Sequence, residues 1–127
     1  MPHQRLPIIH HPDEAATYPT TERCDILESW NRAEDPDLSI ARATVAVGVS
    51  TRWHRLAQTT ERYVILHGQG RVHVGELPPA LVNPGDVVYI PPDCPQRIDN
   101  TGDVPLVFLA ICNPRFRPDN YQELDDV

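Results

Sequence analysis

Fourteen prolines are spread through 127 residues, about twice the ~5% average share. Proline fixes φ and removes the amide donor, so it is excluded from helix interiors and from the central ladder of a sheet. A chain punctuated this often has no room for a long helix, and what lies between the prolines must be short strands. Glu61–His67 (ERYVILH), Val87–Ile90 (VVYI) and Leu106–Cys112 (LVFLAIC) are rich in β-branched and aromatic residues, and Leu38–Val47 alternates before Gly48. With the shorter runs at 20–30, 52–56, 71–75 and 96–100, the pattern predicts eight or nine strands in a sandwich or small barrel. Gly68-Gln69-Gly70 reads as a tight hairpin between two of them. The tail at 118–126 reads as a single helical turn.

Length limits the chain to one domain. Residues 1–43 are expected to form an N-terminal arm and first strands, 44–112 the barrel core, and 113–127 an acidic tail. The arm holds His3, His10 and His11; adjacent side chains on an extended segment point opposite ways, so His10 and His11 read as solvated. All 11 basic residues are arginines against 18 acids, for a formal charge of −7. The three segments carry −4, −1 and −2. Acidic flanks around a nearly neutral middle cannot supply the basic stripe that nucleic acid or an anionic lipid surface requires. No apolar run approaches the ~20 residues of a membrane span. Cys24, Cys94 and Cys112 form no CxxC pair, which argues against a disulfide framework or a thiolate zinc site. The expectation is a soluble, cytoplasmic protein.

Three of the strands are apolar at both parities. A sheet facing one core alternates, so their second face needs cover from another sheet, the arm or a second subunit, and a homodimer is the expected assembly.

Two segments carry a spaced set of residues. The first runs Gly48, His54, Leu56, Glu61, Gly68; the second runs Gly85, Pro91, Gln96, Asn100. Their spacing resembles the two signature motifs of the cupin superfamily, over roughly Val45 to Cys112. The resemblance implies a small, single-domain, all-β jelly roll, the double-stranded β-helix. In that family two histidines one residue apart, a glutamate and a third histidine commonly hold a divalent metal. Matched position by position, this chain keeps His54 and Glu61, but has Leu56 and Gln96 in the other two places, and Asp93 where a small residue is usual. Leucine donates nothing, and an amide oxygen is a weaker ligand than imidazole for zinc, iron or nickel.

Strand parity adds an independent constraint. Glu61 lies seven residues from His54, so an unbroken strand would put them on opposite faces; a loop at 57–60 must intervene. The expected inward set is Arg52, His54, Leu56, Glu61, Tyr63, Ile65, Gln96 and Ile98, a few polar groups within an apolar lining that suits a small-molecule ligand. Arg52 either binds an acidic group or pairs with Glu61. His67 lies ~20 Å along the strand from Glu61, His73 reads as solvent-facing, Cys94 as an inert turn thiol and Cys112 as core. Asp86 and Asn100 read as turn caps.

The resulting expectation is an enzyme of cupin type in which His54, Glu61 and Gln96 hold iron, zinc, nickel or manganese and Arg52, Tyr63 and Leu56 contact the substrate. Two other classes stay open. One is a metal-free binding or regulatory module, and the other is metal-free acid–base catalysis by Glu61 and His54.

Overall fold

A computed structural model describes residues 5–124; the first part of the arm, with His3, and the last three residues lie outside the described residues. The strands are β1 (Tyr18–Pro19), β2 (Asp25–Trp30), β3 (Ser39–Val45), β4 (His54–Leu56), β5 (Thr60–His67), β6 (Gly70–Val74), β7 (Ala80–Val82), β8 (Val87–Ile90), β9 (Gln96–Asn100), β10 (Leu106–Asn113) and β11 (Tyr121–Glu123). Single 3₁₀ turns at Glu14–Ala16 and Pro118–Asn120 are the only helical pieces among the described residues. The strands form two antiparallel sheets, ordered β1-β2-β3-β10-β5-β8 and β11-β4-β9-β6-β7.

The inner faces of these sheets make one core. Along β10, Leu106, Phe108, Ala110 and Cys112 are buried while the residues between them are half-buried. Tyr63 and Ile65 of β5, Ile90 of β8 and Val45 of β3 join them from the same sheet. Val72, Val74 and Ile98 close the core from the opposite sheet. Each fully buried Ile, Leu or Phe stabilises the fold by ~1.5–3 kcal/mol. Asn100 ties the end of the barrel: its amide donates to the carbonyls of Val45 at 3.0 Å and Val104 at 2.9 Å, and its oxygen accepts from Gly102 N at 2.9 Å.

Two expectations are corrected. The glycines at 68 and 70 do not close a hairpin. β5 pairs with β10 and β8, whereas β6 pairs with β7 and β9, so the turn carries the chain from one sheet to the other. A glycine is needed because Gly68 has φ +82° and a Cβ there would lie 2.7 Å from the Pro105 carbonyl oxygen. The tail is likewise more than a turn: β11 adds to the open edge of β4, pairing Tyr121 with Leu56 and Glu123 with His54. An unpaired edge next to it gives the tail a ladder to join.

The strands apolar at both parities have unequal surroundings. β10 lies between β3 and β5, and its outward residues are half-buried. β8 is the edge strand, and its outward Val87 and Tyr89 are 63% and 60% exposed. The arm crosses this outer side, where Glu14 pairs with Arg42 of β3.

Gly68→Ala should therefore cost ~2–4 kcal/mol, because strain at positive φ adds to a backbone clash. Gly48→Ala meets nothing within 4 Å and should cost only ~1–2 kcal/mol. Urea denaturation of the two variants checks the order; equal losses would remove the sheet-crossing contact as the cause.

Candidate functional site

The two sheets bring together what strand parity alone would separate. His54 on β4 is the direct cross-strand neighbour of Gln96 on β9. Glu61 on β5 faces Cys112 of β10 on one side and Ile90 of β8 on the other. Between His54 and Glu61 the chain changes sheets through Ala57–Thr59, where Gln58 takes φ +57°. Asp93, at φ +65°, fixes this crossing: its amide donates to the Leu56 carbonyl at 3.0 Å and its carboxylate accepts from Gln58 N at 3.3 Å. An aspartate tolerates the left-handed region better than most residues and supplies the acceptor as well, which accounts for it in place of a smaller residue.

A cavity of ≈ 310 Å³ opens between the sheets. His54, Leu56, Glu61 and Cys112 lie on its wall, with Glu22 and Tyr18 from the N-terminal segment and Phe116, Pro118 and Tyr121 from the C-terminal one. The His54 ring is fixed on three sides. Its Nδ1 lies 2.8 Å from the Arg52 carbonyl, which only accepts, so Nδ1 carries the hydrogen and donates. Its Nε2 faces Glu22 Oε2 at 3.6 Å. Tyr121 stacks on the ring at 5.2 Å between centroids and 24° between planes.

Glu61 is 7% exposed, and its Oε1 has no hydrogen-bond partner. Burial pushes its carboxyl up to about 8; the nearby Glu22 charge pushes the same way, and the Gln96 amide and Cys112 thiol only partly oppose them. The Cys112 thiol donates to Glu61 Oε2 at 3.8 Å. Glu22 is also raised, by burial first, with His54 pulling it down. Near neutral pH the raised pKa favours the acid form of Glu61, and the Nε2 edge of His54 is turned toward Glu22 on the same cavity wall.

The sequence-derived candidates divide here. His54, Leu56 and Glu61 line the cavity. Gln96 and Tyr63 are buried behind that wall and bonded to each other, the Tyr63 hydroxyl donating to Gln96 Oε1. Arg52 is not inward and does not meet Glu61. Its side chain is 38% exposed; Nε donates to the Thr21 carbonyl at 2.9 Å and lies 3.5 Å from Glu123 Oε1. Its backbone N–H donates to the Glu22 carbonyl at 3.1 Å, so Arg52 holds the segment that carries Glu22. A long cationic side chain near the rim keeps its head in water, which parity counting does not register. His73 is half-buried rather than solvent-facing: Nε2 is 2.8 Å from Asp99 Oδ2 and the ring meets Trp53 edge-on. His67 is exposed at the far end of β5.

Of the wall residues that escaped the sequence reading, Glu22 and Tyr121 are the two that meet the His54 ring. Both reach the cavity from chain ends brought over it by tertiary pairing, and no spacing to the motifs announces them. Glu22 sits in the turn closed by Thr20, whose hydroxyl donates to the Cys24 carbonyl at 2.8 Å.

The donors present do not match the divalent metal that the resemblance implies. Among the described residues no group of three or more His, Cys, Asp or Glu side chains is placed to hold a metal ion. Leu56 offers no lone pair, and the Gln96 oxygen already accepts from Tyr63. As arranged, His54 and Glu61 are left without the further ligands such an ion needs.

The two-sheet barrel with this internal cavity is a double-stranded β-helix. Residues 41–112 match the family model of the cupin domain, and the chain belongs to that family. It is 36% identical over 87 residues to an uncharacterized protein of Methanocaldococcus jannaschii, covering 68% of this chain and 69% of that one. It is 41% identical over 63 residues to a glucose-6-phosphate isomerase of Pyrococcus abyssi, covering 46% of this chain and 33% of the isomerase. The match thus spans about a third of that enzyme's length. Among solved structures, Streptomyces Pac13 with uridine superposes with a TM-score of 0.77 at 14% identity, covering 96% of this chain and 94% of that one. A predicted oxalate decarboxylase from Thermotoga maritima gives a TM-score of 0.74 at 21% identity, covering 84% and 99%.

Glu61 makes stability depend on pH in a definite sense. Its folded pKa lies above its unfolded value, so between about 4.5 and about 8 the folded state binds more protons than the unfolded state. Unfolding free energy then falls as pH rises through that window and levels off above it. Glu61→Gln should remove this slope and raise the melting temperature at pH 8 relative to wild type, while changing little at pH 4.5. A variant less stable at pH 8 than wild type would mean that the charged carboxylate is stabilised after all.

Proposed function

We propose that this chain is an enzyme that moves protons on a small organic molecule held in the cavity, with Glu61 as the acid and His54 Nε2 as the base. The observation that carries the reading is the convergence of a buried, protonated carboxyl group and an oriented imidazole on one cavity. A pair of titratable groups whose surroundings assign one to give and the other to take a proton is the minimum such chemistry needs. In an elimination, His54 Nε2 takes a proton from carbon and the C–H electrons form the double bond. The C–O bond breaks, and the Glu61 proton leaves with the oxygen as water. The imidazolium formed faces Glu22, 3.6 Å away, as counter-charge. An isomerisation uses the same pair to move a proton between carbons while the Glu61 acid bonds the substrate oxygen.

The relatives give this reading coarse support. Pac13 is a nucleoside dehydratase, and the matched Pyrococcus proteins are sugar-phosphate isomerases. Dehydration and isomerisation both pair proton removal from carbon with proton delivery to oxygen.

A second reading keeps the divalent ion on His54, Glu61 and Gln96. It is favoured by the partnerless Glu61 Oε1 and Gln96 Nε2. It requires the Gln96 amide to turn over, so that its oxygen leaves Tyr63 and faces the cavity.

The test follows neutral sugars and nucleosides in D₂O by NMR, with elemental analysis of the same protein. Solvent deuterium entering carbon, or loss of water, is expected from metal-free protein. The rate should fall ~100-fold or more in Glu61→Gln and in His54→Ala, and in wild type it should decline above pH about 8, where Glu61 loses its proton. Turnover that appears only with stoichiometric iron, zinc, nickel or manganese would establish the second reading. Ligand binding without turnover would make the chain a binding module.

A further inference from the structure

The charge of the cavity wall is one-sided. Glu22, Glu28 and Glu61 reach it, no arginine does, and the chain contains no lysine. Among the described lining residues His54 is the only basic group, and its Nε2 already faces Glu22. Arg52, Arg55 and Arg62, close in sequence to His54 and Glu61, are turned to the Thr21 carbonyl and Glu123, to Gln122 and to Asn113. The rest of the lining is largely apolar, with Ile40 and the rings of Tyr18, Phe116 and Tyr121. On the wall, the Glu61 side chain is more than nine-tenths buried and its Oε1 lacks a partner.

We infer that the cavity takes an uncharged, hydroxyl-bearing ligand and refuses the phosphorylated or carboxylated form of the same molecule, with Glu22 and Glu28 as the selecting side chains. This rests on the reading above only in placing the ligand in this cavity. An anionic group has no basic partner to replace its hydration, and it meets like charge at Glu28. A hydroxyl group, by contrast, finds the unpartnered Glu61 oxygen to bond, and an apolar ring face finds the aromatic wall. Burial holds Glu61 toward its neutral form, so a hydrogen bond rather than an ion pair is what it offers. The inference separates this chain from the sugar-phosphate isomerases it partly matches, because no arginine or lysine stands among the described lining residues to pair with a phosphate.

Two matched sets test it by calorimetry at low ionic strength: glucose, glucosamine and glucose 6-phosphate, and uridine with uridine 5′-monophosphate. In at least one set the uncharged member should bind, and wherever it binds the phosphate ester should be weaker by ~10-fold or more. Glu28→Gln should narrow that gap several-fold, and Glu22→Gln should narrow it further. A phosphate ester that binds more tightly than its parent would overturn the inference. So would a gap untouched by either substitution, a glucosamine affinity more than ~10-fold above glucose, or no binding by any member. The measurement reads binding alone. Selective binding together with rates unaffected by Glu61→Gln would sink the catalytic reading and leave the selectivity standing.

Discussion

Two of the chain's crossings between sheets set the geometry on which the rest depends. At Ala57–Thr59 the chain leaves the sheet of His54 for the sheet of Glu61, and at Gly68 it returns. A strand carried straight through either point would place every later side chain on the wrong face, because side-chain direction alternates with a period of two. With the first crossing in place, His54 and Glu61, seven residues apart in sequence, line one cavity. The left-handed backbone at Gln58, Gly68 and Asp93 is the local signature of that requirement. The hydrogen bonds of Asp93 to Leu56 and Gln58 hold the first crossing from the neighbouring turn.

Burying a carboxyl group in such a barrel is costly unless it is paired or protonated. No arginine or lysine reaches Glu61, so the proton is the remaining way to neutralise it, and the raised pKa follows from that. His54 is oriented by a backbone carbonyl instead of a carboxylate, which leaves Nε2 toward the cavity and Glu22. Gln96 and Tyr63 bond each other behind the wall, which satisfies the phenol and the amide oxygen.

The termini complete the site. Tyr18 and Glu22 come before the family match begins, and Phe116, Pro118 and Tyr121 come after it ends. Strand β11 reaches the cavity by pairing with the open edge of β4, and Arg52 holds the N-terminal segment through Thr21 and Glu22. Part of the cavity wall therefore comes from segments outside the matched barrel.

How much was legible divides along physical lines. Proline placement and strand alternation were enough for an all-β fold, and the spacing of His54, Glu61, Gly68, Gly85 and Pro91 pointed to the barrel, because both are local or periodic properties of the chain. Parity counting also required a break between His54 and Glu61. It misplaced Arg52, since a long side chain at a rim follows water and nearby carbonyls rather than the pleat. It read Gly68–Gly70 as a hairpin because turn residues specify a reversal without specifying which strands pair afterwards. Glu22 and Tyr121 lay beyond its reach altogether: they arrive through contacts between segments far apart in sequence. Composition and pattern thus determined the scaffold and two of the polar groups that line its cavity. Tertiary pairing alone decided which carboxyl faces the imidazole, and that no cation accompanies them.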